Sequence, residues 1–253
     1  MTAVLQTRGL SVSFGGVRAL TDVEVAVGEG ELVGLIGPNG AGKTTFIDAI
    51  TGFVESTGRI EFAGHDVTML SPHRRARRGL TRTFQSLELF DDLTVAENVA
   101  VPLERPTAAG FLRDLVRPQR IRLDTGVAAA LELLGLAESS DRLPAELSHG
   151  QRRLVSCARA LAGSPALICM DEPAAGLDTA ESVVLGRHLR AIADAGSALL
   201  LIDHDTSMVF EACDRVVVMD FGQVIADGTP LEVRRDPALV AAYLGRSMDG
   251  TPA

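Results

Sequence analysis

Three unbroken apolar runs stand out along the chain, at residues 31–37 (ELVGLIG), 166–170 (ALICM) and Ala198–Ile202 (ALLLI). Each is too short for a helix and too uniformly apolar for a half-exposed strand, which is the pattern of strands buried on both faces. A helix is predicted between the last two, over residues 179–193. Residues Arg59-Ile60-Glu61-Phe62 alternate instead, between Gly58 and Gly64, and suggest an edge hairpin. The first part, to about residue 84, reads as short strands joined by turns, an antiparallel β portion. Residues 91–163 are mostly helical in pattern, with Pro102, Pro106 and Pro118 making the early part irregular. From residue 166 strand and helix alternate again, which argues for a mainly parallel sheet with helices on both faces. The fold class is therefore α/β. The expected organisation is one core, residues 1–85 and 161–245, carrying a helical subdomain over about 86–160 and a loose tail at 246–253.

Composition changes this picture only at the edges. With 46% apolar and 23% charged residues in 253, the chain has ample material for a core. The apolar runs fall far below the ~18 residues of a membrane span. Residues 1–10 lack a basic segment followed by an apolar one, so no secretory signal is expected. A net charge of −9 argues against nucleic acid as the main partner, and the absence of Trp with a single Tyr argues against a base-stacking platform. Cys157, Cys169 and Cys213 are odd in number and far apart, and read as reduced core residues. The 24 basic residues are 23 Arg and one Lys, Lys43. Where that lysine falls is informative.

It falls in a phosphate-binding motif. Gly37, Pro38, Asn39, Gly40, Ala41, Gly42, Lys43 and Thr44 satisfy G-x-x-x-x-G-K-[ST] between a predicted strand and a predicted helix over 44–51. The glycines let backbone N–H groups wrap a phosphate, and the helix start, which Thr45 shares, adds the positive end of a dipole. Lys43 then supplies a compact charge to the outer phosphates and Thr44 a hydroxyl for Mg²⁺; an arginine fork would fit that nest poorly. The second motif is the apolar strand that ends in Asp171 and Glu172. An aspartate at a strand tip beside such a loop can hold Mg²⁺. The following glutamate can orient or deprotonate a water, which points to hydrolysis rather than transfer. A third stretch, Leu147-Ser148-His149-Gly150-Gln151, reads as a capped helix start that presents its positive end to an anion. On the loop alone the chain is a P-loop nucleotide binder of unspecified reaction.

The order of these three motifs resembles the ATP-binding subunit of an ATP-binding cassette (ABC) transporter, over about residues 4–245. The resemblance implies a P-loop NTPase core with an inserted helical subdomain, and ATP and Mg²⁺ as cofactors. It assigns Gln85 (in Arg82-Thr83-Phe84-Gln85) to sensing Mg²⁺ and the membrane partner, Asp178 to a dimer seam, and His204 to the γ-phosphate. Phe14 falls where the family stacks an aromatic on adenine. Read singly, Phe14 is a core aromatic and His204 a strand-end histidine. Ser148, Gly150 and Gln151 are expected to bind the ATP held by a second ATPase subunit, a copy or a paralogue. Membrane permease subunits would be the direct partners, an extracytoplasmic solute-binding protein an indirect one, and the location peripheral on the cytoplasmic face of the cell membrane.

Two departures from the common family pattern are His149, where glycine is usual, and Ala175-Gly176 ahead of Leu177-Asp178. Arg82-Thr-Phe-Gln, the stretch 171–177, the Ser-His-Gly-Gln signature, the Pro-bounded insert and Ala242-Tyr243-Leu244-Gly245 are similar to subunits of branched-chain amino-acid importers. Lipid or lipopolysaccharide export, urea or amide import, and a soluble non-transport cassette are the alternative expectations. A small P-loop kinase would leave Ser148–Gln151 and Glu172 without a purpose. The cluster His73, Arg74, Arg75, Arg77, Arg78 and Arg82 is expected to be a solvated or acid-paired helix face.

Overall fold

The computed structural model describes residues 3–83, 89–103 and 125–236. The chain divides into two units, Met1–Gln85 with Ala166–Ala253, and Ser86–Pro165. The first begins with strands β1 (Ala3–Phe14), β2 (Val17–Val23), β3 (Ala26–Gly28) and β4 (Leu32–Ile36), then helix α1 (Lys43–Thr51). Strands β5 (Thr57–Phe62) and β6 (His65–Asp66), helix α2 (Pro72–Ala76) and strand β7 (Leu80–Arg82) follow. The second unit holds α3 (Val95–Ala100), α4 (Thr125–Leu133) and α5 (His149–Leu161). The chain then returns to the first unit with β8 (Leu167–Asp171), α6 (Thr179–Asp194), β9 (Ala198–Ile202), α7 (Thr206–Ala212), β10 (Arg215–Asp220), β11 (Gln223–Gly228) and α8 (Pro230–Arg235).

Two sheets build the first unit. One runs β11-β10-β4-β9-β8-β7, parallel except for β11. The other is antiparallel, with β1 pairing β2, β3 and β5, and β5 turning into β6 at its edge. Every residue of β4, β8 and β9 is buried, as their unbroken apolar runs predict. Edge strand β11 alternates exposed and half-buried positions. One core joins both sheets to α1: Leu5, Leu10, Ile60 and Phe62 from the antiparallel sheet meet Leu35, Leu200 and Val217 from the parallel one, with Phe46 and Ile50 of α1 among them. The hairpin expected at 59–62 is present. The N-terminal strands are not all short, because β1 runs for 12 residues and serves three partners.

Helix ends follow local chemistry. Thr94, Ser148, Asp178 and Thr229 each cap a helix by accepting from the backbone N–H three residues on, while the Glu or Gln there reaches back. In the second unit Asn98 is fully buried on α3. Its amide donates to the carbonyls of Phe90, Leu93 and Thr94 at 3.0 Å each and accepts from Phe90 N–H at 2.8 Å, fixing the turn ahead of the helix. This unit runs to Pro165 and includes the whole of α5. The Pro-bounded insert, the motif at 242–245 and the tail lie outside the described residues.

The basic cluster is a correction. Arg75 is neither solvated nor acid-paired but buried, 3% exposed. Its guanidinium donates to Leu70, Ala49, Ile50 and Thr68 carbonyls at 2.7–2.9 Å, closing the C-terminal end of α1. Arg82 is acid-paired, with Asp48 of α1 and, at 3.4 Å, Asp171.

Candidate nucleotide site

The loop between β4 and α1 is shaped by contacts on its outer side. Gly222, at the turn between β10 and β11, donates to Ala41 carbonyl at 3.0 Å, and its own carbonyl accepts from Thr21 N–H at 2.9 Å. This ties the loop to β2. A Cβ on Gly37 would stand 2.1 Å from Met219 carbonyl oxygen, and Gly42, at φ 98°, leaves room for Ala19 carbonyl where a side chain would clash. The chain therefore enters α1 through a glycine with no side-chain cap, unlike the four helices closed by capping boxes. Its first N–H groups remain available for a phosphate. Asn39 and Gly40 are exposed at the crown of the loop, Pro38 is half-buried beside Gly37, and Thr45 is half-buried on the first turn of α1.

Lys43 lies inside this loop, 7% exposed, donating from Nζ to Gly37 carbonyl at 2.8 Å and Pro38 carbonyl at 3.0 Å. Burial pulls its ammonium below the ordinary lysine range, and the carboxylates of Glu172 and Asp171 oppose that shift. The Thr44 hydroxyl, exposed, lies beside the buried carboxylate of Asp171 at the tip of β8. Desolvation raises the Asp171 pKa above the usual carboxylate value, with the Arg82 guanidinium and the Thr44 hydroxyl acting against it. The residues expected to hold Mg²⁺ are thus in mutual contact for Thr44 and Asp171. Gln85 lies outside the described residues. Among the described residues no group of three His, Cys, Asp or Glu side chains is arranged to hold a metal by itself.

Glu172 follows in the left-handed region, φ 51°, where a side chain costs about 1–2 kcal/mol. Its N–H still extends the sheet, donating to Ile202 carbonyl at 2.7 Å, while its carboxylate Oε1 meets His204 Nε2 at 2.8 Å. His204 is exposed beyond the end of β9. Phe14, expected in the core when read alone, is instead 53% exposed at the end of β1. Asp178 is exposed as the cap of α6, accepting from Glu181 N–H at 2.8 Å.

Ser148, Gly150 and Gln151 belong to the second unit. Ser148 Oγ accepts from Gln151 N–H at 3.2 Å, and Gln151 Oε1 from Ser148 N–H at 3.0 Å. Both side chains thus close their own helix start, and His149 is exposed beside them. Two participants escape the sequence reading. Asp48 holds Arg82 against Asp171, and its signal is only an acid on the polar side of α1. Asp203 is a buried carboxylate directly after an apolar strand, a weak signal that something receives it. The buried thiols of Cys157, Cys169 and Cys213 are pushed up to about 12 and stay protonated.

Residues 20–175 match the family model described as ABC transporter, and residues 223–249 the one described as branched-chain amino acid ATP-binding cassette transporter. The high-affinity branched-chain amino acid transport ATP-binding protein BraF of Pseudomonas aeruginosa is 36% identical over 251 residues, covering 96% of this chain and 98% of that protein. The lipopolysaccharide export system ATP-binding protein LptB of Haemophilus influenzae is 34% identical over 244 residues, covering 96% and 98%. Among solved structures, the ADP conformation of MJ1267, an ATP-binding cassette of an ABC transporter, superposes with a TM-score of 0.83 at 33% identity, over 97% of this chain and 100% of that one. No helix among the described residues is long and apolar enough to cross a membrane. A phosphate loop, a strand-tip acid pair and a family match across most of the chain lead to one conclusion: the chain belongs to the ABC transporter family, as an ATP-binding, ATP-hydrolysing subunit that works with membrane permease subunits.

Proposed function

We propose that hydrolysis rests on Glu172, and the observation that carries this is its carboxylate, beyond the metal-binding strand tip and 2.8 Å from His204. Glu172 accepts a hydrogen bond from the attacking water, and His204 contacts the γ-phosphate. Lys43 and the loop from Gly37 to Thr45 hold the phosphates, and Phe14 stacks on adenine. Thr44 and Asp171, with Gln85, would hold Mg²⁺, which when bound neutralises charge on the β- and γ-phosphates. The contact between the Thr44 hydroxyl and Asp171, a hard-oxygen pair, fits such an ion. Ser148, Gly150, Gln151 and Asp178 meet the nucleotide of a second ATPase subunit, so that two subunits enclose two ATP molecules. The test is Glu172→Gln: ATP binding should persist while turnover falls at least ~100-fold. Turnover near wild type would remove Glu172 from this role.

For cargo, we infer import of branched-chain or similar hydrophobic amino acids, supplied by an extracytoplasmic binding protein to permeases served from the cytoplasmic face. The supporting observation is the match of residues 223–249 to the branched-chain amino acid cassette model. Lipopolysaccharide export is the second reading, favoured by the LptB relative at similar coverage. Phe90, 49% exposed on a turn that Asn98 fixes, is a suitable apolar contact for a permease segment. Uptake of labelled leucine, isoleucine and valine should fall in cells lacking the chain. Unchanged uptake of all three, with the ATPase intact, would sink the cargo reading alone.

A further inference from the structure

Glu172 and His204 sit on separate loops, each just past the end of its strand, and something must hold their side chains within 2.8 Å of each other. Sheet pairing ends at Asp171 opposite Ile202, with the one further bond from Glu172 N–H to Ile202 carbonyl. Beyond that point a buried carboxylate joins the backbones of the two loops. Asp203, 6% exposed, accepts Ala174 N–H on Oδ2 at 2.9 Å and Asp205 N–H on Oδ1 at 2.9 Å. Ala174 lies two residues past Glu172, inside the turn closed by Ala175 N–H to Glu172 carbonyl. One oxygen therefore fixes the turn that carries Glu172, and the other fixes the turn that carries His204. An ionised carboxylate can accept on both oxygens at once; an amide of the same shape cannot.

We propose that Asp203 is a positioning residue for hydrolysis, a clamp that sets the Glu172–His204 geometry without touching nucleotide. The proposal rests on the catalytic assignment of that pair. Its consequence is a separation of effects. The hydrogen bonds of Asp203 go to Ala174 and Asp205 and to no residue of the phosphate loop, so losing the clamp should leave ATP binding alone. A displaced base, by contrast, costs rate steeply, about 10- to 100-fold for shifts near 1 Å.

The experiment uses the full chain and measures ATP affinity, KM, kcat and thermal unfolding for Asp203→Asn, Glu172→Gln, His204→Ala and the double variant Asp203→Asn with His204→Ala. For Asp203→Asn, affinity and KM should stay within about twofold while kcat falls at least ~10-fold. In the double variant Asp203→Asn should add less than its own full loss to that of His204→Ala, because the pair geometry that the clamp sets no longer exists. A kcat within twofold of wild type for Asp203→Asn, or full additivity in the double variant, would overturn the clamp. If Asp203→Asn does not fold, Asp203→Ser, which keeps one acceptor, takes its place under the same criteria. Normal turnover in Glu172→Gln and His204→Ala would sink the catalytic assignment and the clamp with it. Loss in those two with none in Asp203→Asn would sink the clamp only.

Discussion

A lone lysine among 23 arginines is explained by two carbonyl oxygens. Lys43 Nζ lies within hydrogen-bond reach of both Gly37 and Pro38 carbonyls inside a loop that leaves it 7% exposed. A planar guanidinium is wider and carries its donors in a fixed fork, so it cannot take that seat without opening the loop. Lys43→Arg should therefore lower ATP affinity at least ~10-fold although the charge is kept, the equivalent of losing one charge-assisted hydrogen bond of about 1.5–3 kcal/mol. Equilibrium titration with a non-hydrolysable ATP analogue checks it, and unchanged affinity would make the lysine an accident of composition. This residue was legible in the sequence because its motif is local: everything that defines it lies within eight positions. Asp203 was not legible, because its decisive partner, Ala174, is 29 positions away and nothing near Asp203 announces it. Phe14 shows the same limit in reverse. Its position on β1 is local, but whether a strand-end aromatic turns inward depends on the partner strands.

At the scale of elements, α1 is held at both ends. At its start, Gly222 binds the Ala41 carbonyl, and at its end Arg75 gathers two of the helix's last carbonyls together with those of Thr68 and Leu70. A cation at that end also complements the helix dipole. Arg75→Met should leave the Ile50, Thr68 and Leu70 carbonyls without that donor, Ala49 keeping Gly52 N–H, and destabilise the chain by about 3 kcal/mol or more. Arg75→Lys, with three donors on a flexible stem, should recover only part of that. Denaturant unfolding checks both, and a loss below about 1 kcal/mol for Arg75→Met would contradict the role. The helix itself was legible from its flanking glycines, and so were the central strands from their apolar runs. The Arg75 contact was not, since α2 is five residues long and too short for a periodicity that would mark an inward position.

At the scale of the whole molecule, the proposed pairing of two subunits makes Lys43 and Ser148 of one chain serve different ATP molecules. Mixing Lys43→Ala subunits with Ser148→Arg subunits should restore ATPase activity that neither variant shows alone, because the mixed pair keeps one intact site. Failure to recover on mixing would contradict shared sites. The order of the parallel sheet has a consequence of another kind, in time. Strand β4, which leads into the phosphate loop, lies between β9 and β10, and Leu32 N–H finds the Asp214 carboxylate only 182 positions further along. At ~5–20 residues per second, a ribosome takes roughly ten to forty seconds to supply those neighbours. Through that interval β1, β2, β3 and β5 already have their antiparallel partners, and the second unit is complete in sequence before β8 emerges. The phosphate loop is thus encoded among the first segments and assembled among the last, so a nascent chain cannot close on nucleotide before nearly all of it has been made.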